Sequence, residues 1–129
     1  MNFIRKIIRF FGNASSSSCF SSNHEAAAVI KRLVDAECVE NPYEWDDLYS
    51  IRNQNPQVNL ALALCHYYEN KFPSSATNEY CDEQGLVYFR KIANALENGR
   101  FEGMECETMI RRIRGGHIPN EIEKILNTS

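Results

Sequence analysis

The sequence predicts an all-α protein, a compact bundle of five to six helices that opens with a short basic amphipathic helix. Three observations predict this class. Apolar residues recur at the three- and four-residue spacings of a helix along most of the chain. Asn-Pro and Ser-x-x-Glu start signals and glycine stop signals punctuate this pattern. The sustained alternation of apolar and polar residues that indicates strands is lacking.

The length and composition suit one domain with its own core. The chain has 129 residues, of which 43% are hydrophobic, and domains of roughly 100–150 residues are common. We expect residues 22–129 to form a single all-α domain, preceded by residues 1–21 as a basic helix and a serine-rich linker. A capping box, Ser22 to Glu25, predicts where the domain's first helix begins. That helix carries its apolar face on Ala26, Val29, Ile30, Leu33 and Val34.

Two asparagine-proline pairs predict where the next two helical segments begin. Asn41-Pro42 predicts a helical turn ending at Leu48, and Asn55-Pro56 predicts a long helix that Phe72-Pro73 ends. The long helix is apolar on almost every side, so we expect it to be the central, most buried one. The apolar residues that indicate this are Val58, Leu60, Ala61, Leu62, Leu64, Cys65 and Tyr68.

Three glycine and proline signals delimit the remaining helices. A helix capped by Asp82 is expected to end at Gly99, and a second is expected to end at Gly115-Gly116. Pro119 predicts the start of the last, short helix.

The charge distribution and the cysteines limit the classes of function that this chain can have. All 17 acidic residues follow residue 11, which leaves Arg5, Lys6 and Arg9 unopposed at the start of a chain of net charge −3. A mildly acidic body does not suit nucleic-acid binding, which needs concentrated Lys and Arg. The five cysteines show no CxxC spacing, so we expect reduced thiols in a cytoplasmic protein, with no zinc site and no other cofactor. The longest apolar run, residues 60–65, is too short to cross a bilayer.

Catalytic signatures are not evident in the sequence. His24, His66 and His117 are far apart in the chain, and Cys65 and His66, as adjacent helical residues, point in different directions. Neither HExxH, GxSxG nor a phosphate-binding glycine loop occurs. We therefore expect a protein that is not an enzyme.

An acidic and aromatic segment is the predicted partner-binding site. Six acids and no Lys or Arg lie between Asp35 and Asp47, interleaved with aromatic residues. A solvated helix end explains such a cluster, as does a surface for a basic protein partner. A divalent metal is the third reading, although the spacing and glycine of an EF-hand are missing. The candidate contact residues are Glu40, Glu44, Trp45, Asp46, Asp47 and Tyr49.

The N-terminal stretch leaves several alternatives open. It can pack on the core of its own or of a neighbouring subunit, or on the acidic segment. It can also lie on a membrane surface such as the inner membrane, or serve as a targeting segment. A ten-residue helix of about 15 Å can lie in the interface but cannot span it. The candidate membrane-surface residues are Phe3, Ile4, Arg5, Lys6, Ile7, Ile8, Arg9 and Phe11.

A further sequence pattern extends over about residues 43–99. It consists of Tyr43 to Leu48, Pro56, Phe72-Pro73 and Gly85. This pattern resembles small all-α bacterial immunity-type proteins found beside contact-dependent or secreted antibacterial toxins. Leu48 stands where Phe is more usual. The resemblance implies a non-catalytic protein that neutralises a toxin, such as a basic toxin domain, by occluding its active surface. It assigns no site residue. The alternative function is a membrane-surface or scaffold protein attached through residues 2–11.

Overall fold

The computed structural model describes residues 22–35, 54–72 and 83–128. These residues form helices and no strands, which confirms the all-α class for this part of the chain. The predicted N-terminal helix and the predicted turn ending at Leu48 lie outside the described residues. The helices are α1 (Asn23–Asp35), α2 (Pro56–Lys71), α3 (Glu83–Glu97), α4 (Cys106–Arg114) and α5 (Asn120–Asn127).

The helices α1 and α2 both run antiparallel to α3. In the second half of α1, Lys31 reaches Glu97 in the last turn of α3, whereas Asp35, the last residue of α1, pairs with Arg90 in the middle of α3. The last turns of α2 meet the first half of α3, where Tyr68 stacks on Tyr88. As a consequence, the N-termini of α1 and α2 lie at the same end of the bundle. The helix α4 packs against α2, and α5 packs against α3.

Three side-chain amides join the N-termini of α1 and α2. Asn55 caps α2, because its Oδ1 accepts hydrogen bonds from the backbone amides of Gln57 (3.0 Å) and Val58 (3.4 Å). Its Nδ2 donates to Oδ1 of Asn23 at 2.7 Å, and Asn23 donates in turn to Oε1 of Gln57 at 2.6 Å. The Asn55-Pro56 start signal is thus confirmed, and its asparagine also holds two helices together.

The other predicted helix boundaries are largely confirmed among the described residues, whereas Asp82, the predicted cap of α3, lies outside them. Oγ of Ser22 accepts from the Glu25 amide at 3.1 Å, which is one of the two hydrogen bonds of the predicted capping box. The helix α2 ends at Lys71, directly before Phe72. The last helix begins one residue after Pro119, which serves as its N-cap.

Two glycines end helices in the same way. Gly99 has φ +72°, and the Arg100 and Gly99 amides donate to the carbonyls of Ala95 and Leu96. This pair of hydrogen bonds is a Schellman motif, which needs a left-handed residue and therefore favours glycine. Gly116, with φ +92°, ends α4 by the equivalent pair of bonds.

One apolar core joins all five helices of the described part. The seven apolar residues predicted to bury α2 are all buried, and the fully buried large side chains include Leu60 and Leu64 of α2 together with Phe89 of α3. Phe101 is also fully buried although it lies in the turn between α3 and α4, where no helical periodicity predicts it. This aromatic side chain anchors the turn to the core.

An ion-pair group fastens α1 to the end of α3. Glu97 accepts from Lys31 Nζ at 2.5 Å through Oε1 and lies 2.9 Å from His24 Nδ1 through Oε2. The hydrogen bond and positive charge of Lys31 lower the pKa of the Glu97 carboxyl group below its ordinary value, and His24 adds a smaller effect. The pair Asp35–Arg90 is more exposed and contributes little to stability for that reason.

Replacing Asn55 by alanine should lower the free energy of unfolding by about 1–2 kcal/mol, because α2 loses its cap and the amide link to α1. Asn55→Asp keeps the capping oxygen but cannot donate to Asn23, so it should lower the free energy of unfolding by less than Asn55→Ala does. Urea unfolding followed by far-UV circular dichroism measures both. Asn127→Ala, at the exposed end of α5, is the control, and an equal loss in this variant would contradict the assignment.

The Glu97 contribution to stability should disappear in acid. Because its pKa is lower in the folded state, its contribution is complete above the unfolded-state pKa of about 4.3. It is lost as the pH falls through the lower folded-state pKa. Urea unfolding of the unmodified protein and Glu97→Gln should therefore differ at pH 7 and converge in acid. Glu105→Gln, an exposed acid before α4, should show no such convergence, and a constant gap for Glu97→Gln would refute the prediction.

Candidate binding groove between α2 and α4

A groove of about 750 Å³ lies between the second half of α2 and the end of α4. From α4 and its terminal turn, Ile113, Arg114 and Gly116 line it. We call it the α2–α4 groove. The residues of α2 that line it are Leu62, Ala63, His66, Tyr67, Asn70 and Lys71.

The α2 residues form two neighbouring rows along the helix. Positions 62, 66 and 70 make one row and positions 63, 67 and 71 the other, since residues four apart lie on the same face. Leu62 and Ile113 are buried, whereas His66, Asn70, Lys71 and Arg114 are exposed. The groove therefore has an apolar floor and a polar rim.

The rim is positively charged. Lys71 lies in the last turn of α2 and Arg114 in the last turn of α4, so two helix C-termini border the groove. Each carries a partial negative charge of about one half, which a full positive charge outweighs. None of the described lining residues is acidic. The rim is consequently suited to an anionic group.

His66 is fixed by its neighbours in α2. Its Nδ1 lies 3.3 Å from Oε1 of Glu69, and its Nε2 lies 3.3 Å from Nδ2 of Asn70. Asn70 also donates to the His66 carbonyl at 3.0 Å. Both ring nitrogens of His66 therefore have a polar neighbour within α2. Cys65, the neighbouring thiol, is fully buried. The arrangement positions His66 as a lining residue of the groove.

An aromatic cluster supports the same end of α2. The rings of Tyr68 and Tyr88 stack with centroids 4.1 Å apart, and Phe72 stacks 5.7 Å from Tyr88. Tyr67 meets Tyr68 edge-on at 5.0 Å. Burial raises the pKa of the Tyr68 hydroxyl, with nearby tyrosines adding to the effect, so this group stays protonated. Through Tyr68, the cluster packs against Tyr67 at the groove.

Lys71 lies over two of these rings. Its Nζ is 5.9 Å from the centroid of Tyr67 and 5.8 Å from that of Phe72, within the range of cation–π attraction. The aromatic cluster therefore helps to keep this positive charge at the rim of the α2–α4 groove.

The structure does not describe the site residues that the sequence predicts. The acidic and aromatic contact candidates at 40–49 and the membrane-surface candidates at 3–11 are outside the described residues. Within residues 22–35, 54–72 and 83–128, no group of three or more His, Cys, Asp or Glu side chains could hold a metal ion. Sequence reasoning did not identify the α2–α4 groove, although polar residues at 66, 67, 70 and 71 interrupt an otherwise apolar helix and are a usable signal.

Comparison of the chain with protein-family models, with curated proteins and with solved structures finds no match. Among the helices that the structure describes, none combines the length and the apolar composition needed to cross a membrane. The site is therefore interpreted from its own geometry and chemistry.

Replacing Tyr88 by leucine should lower the free energy of unfolding by about 1 kcal/mol, because the stacked pair with Tyr68 is lost while apolar volume is largely kept. Urea unfolding measures the loss, and the near-UV circular dichroism of the tyrosines should decrease with it. Tyr88→Phe retains the ring and should remain close to the unmodified protein. A loss of the same size in Tyr88→Phe would show that the hydroxyl, and not the stacking, matters.

Proposed function

We propose that this chain is a non-catalytic binding protein of the immunity type, which neutralises a bacterial toxin by occluding its active surface. The observation that carries the proposal is the acidic and aromatic segment between α1 and α2. Six carboxylates and no Lys or Arg occur from Asp35 to Asp47. Such a segment complements a basic surface, and complementary charge accelerates encounter and rejects wrong partners.

The acidic and aromatic segment also contains residue types that commonly supply most of the binding energy at a protein interface. Trp45 and Tyr49 lie among the acids, and tryptophan and tyrosine are enriched at the energetic centres of protein interfaces. We propose Glu40, Glu44, Trp45, Asp46, Asp47 and Tyr49 as the contact residues.

The described helices support this proposal through their arrangement. Asp35, the last residue of α1, is exposed, and Asn55 lies beside Asn23 at the other end of the same helix. Asp35 and Asn55, which precede and follow the acidic and aromatic segment in the chain, are therefore separated by the length of α1, about 20 Å. A basic partner that contacts the residues just after Asp35 would meet the exposed end of α1 as well.

The cytoplasmic location expected from the reduced cysteines fits the same proposal. An immunity protein has to be present where its toxin acts, and the proposal places both partners in the cytoplasm. Attachment to a membrane surface through residues 2–11 is the alternative function, supported by the alternation of Arg5, Lys6 and Arg9 with apolar residues.

Reversing the charge of Asp46 and Asp47 to lysine should weaken capture of a toxin encoded next to this protein by at least tenfold, because two attractive contacts become repulsive. The helical circular dichroism spectrum should stay unchanged. Binding is measured by isothermal titration calorimetry with a catalytically inactivated form of the toxin.

The matched control reverses two exposed acids of α4 and its N-cap, Glu105→Lys with Glu107→Lys, and should retain capture. Equal affinity of the unmodified and the Asp46/Asp47 proteins would reject the contact assignment. Absence of any capture, together with sedimentation on anionic vesicles that is lost when the chain begins at Ser21, would favour the membrane-surface alternative.

A further inference from the structure

We propose that the α2–α4 groove is a binding site for a small amphipathic carboxylate, an apolar chain or ring system that ends in one carboxylate group. This inference does not depend on the toxin-binding proposal, because it concerns other residues and a different class of ligand. Three features of the groove carry it: an apolar floor, a cationic rim and a size suited to a small molecule.

The floor is apolar and belongs to the packed core. Leu62 and Ile113 are only 4% and 3% exposed, so their positions are set by the contact between α2 and α4. An apolar ligand body placed over them removes further apolar surface from water, which is favourable in proportion to the area covered.

The charged lining residues favour a negative charge on the ligand. Lys71 and Arg114 come from different helices, and the described lining has no acid to neutralise them. The nearest carboxylate in α2, Glu69, is largely buried and contacts Nδ1 of His66. Arginine presents a planar set of donors that matches a carboxylate, and such charge-assisted hydrogen bonds are among the strongest available to it.

The size of the groove favours a small molecule over a protein segment. Its volume of about 750 Å³ falls within the roughly 300–1,000 Å³ of small-molecule sites.

Isothermal titration calorimetry with the full chain tests the proposal with three probes that share one apolar chain: decanoate, decanol and decyltrimethylammonium. Decanoate should bind saturably with a Kd on the order of 0.1 mM, as expected for a ligand of this size. Decanol should bind at least tenfold more weakly, and the cationic probe should not bind. Methyl resonances of Leu62 and Ile113 should shift with decanoate.

Two double variants locate the charge requirement. Lys71→Gln with Arg114→Gln should weaken decanoate binding at least tenfold. The matched control, Lys124→Gln with Arg111→Gln, removes the same charges from the last turns of α5 and α4 outside the groove and should leave affinity unchanged.

Several outcomes would overturn the proposal. Equal affinity for all three probes would show binding by the apolar floor alone, and equal losses in both double variants would show an unspecific charge effect. Saturable binding that leaves the Leu62 and Ile113 methyl resonances unmoved would locate the ligand elsewhere. If the Lys71/Arg114 variant does not fold, the comparison of the three probes on the unmodified protein still tests the proposal. Absence of decanoate binding would refute it.

Discussion

The burial of α2 between α3 and α4 is the constraint on which the described structure depends. This helix is apolar on nearly all sides, and Leu60, Ala61 and Leu64 are fully buried. Such a helix cannot be stable alone in water, because its stability comes from packing and not from intrinsic propensity. Two other helices therefore have to cover it. The helices α1 and α5 then attach to α3, and one continuous core results.

The two ends of α2 show how this packing is completed. At its first turn the Asn23, Asn55 and Gln57 amides satisfy each other and tie α2 to α1. At its other end α4 stops at Arg114, and Gly116 turns the chain away. The last turns of α2 consequently keep a side that α4 does not cover, and the α2–α4 groove lies there. The stacked rings of Tyr68 and Tyr88 join this end of α2 to α3.

The proposed functions use parts of the chain with opposite charge. The acidic and aromatic segment follows the exposed end of α1, whereas the groove has a cationic rim at the C-terminal ends of α2 and α4. A basic protein and a carboxylate ligand would thus be attracted to different residues. The described lining of the groove contains Lys71 and Arg114 and no acid, although the chain as a whole has a net charge of −3.

The sequence by itself determined the helical class and the helix boundaries at Asn55, Phe72, Gly99 and Gly115-Gly116. These signals act within one or two turns, through caps, fixed proline angles and left-handed glycines, so neighbouring residues suffice to read them. It also determined which residues of α2 are buried, because helical periodicity is a local property. Only the tertiary structure decided the burial of Phe101, the link between Asn23 and Asn55, and the groove. These depend on residues that are far apart in the chain, and the packing of α2 on α4 is what brings Leu62 and Ile113 together.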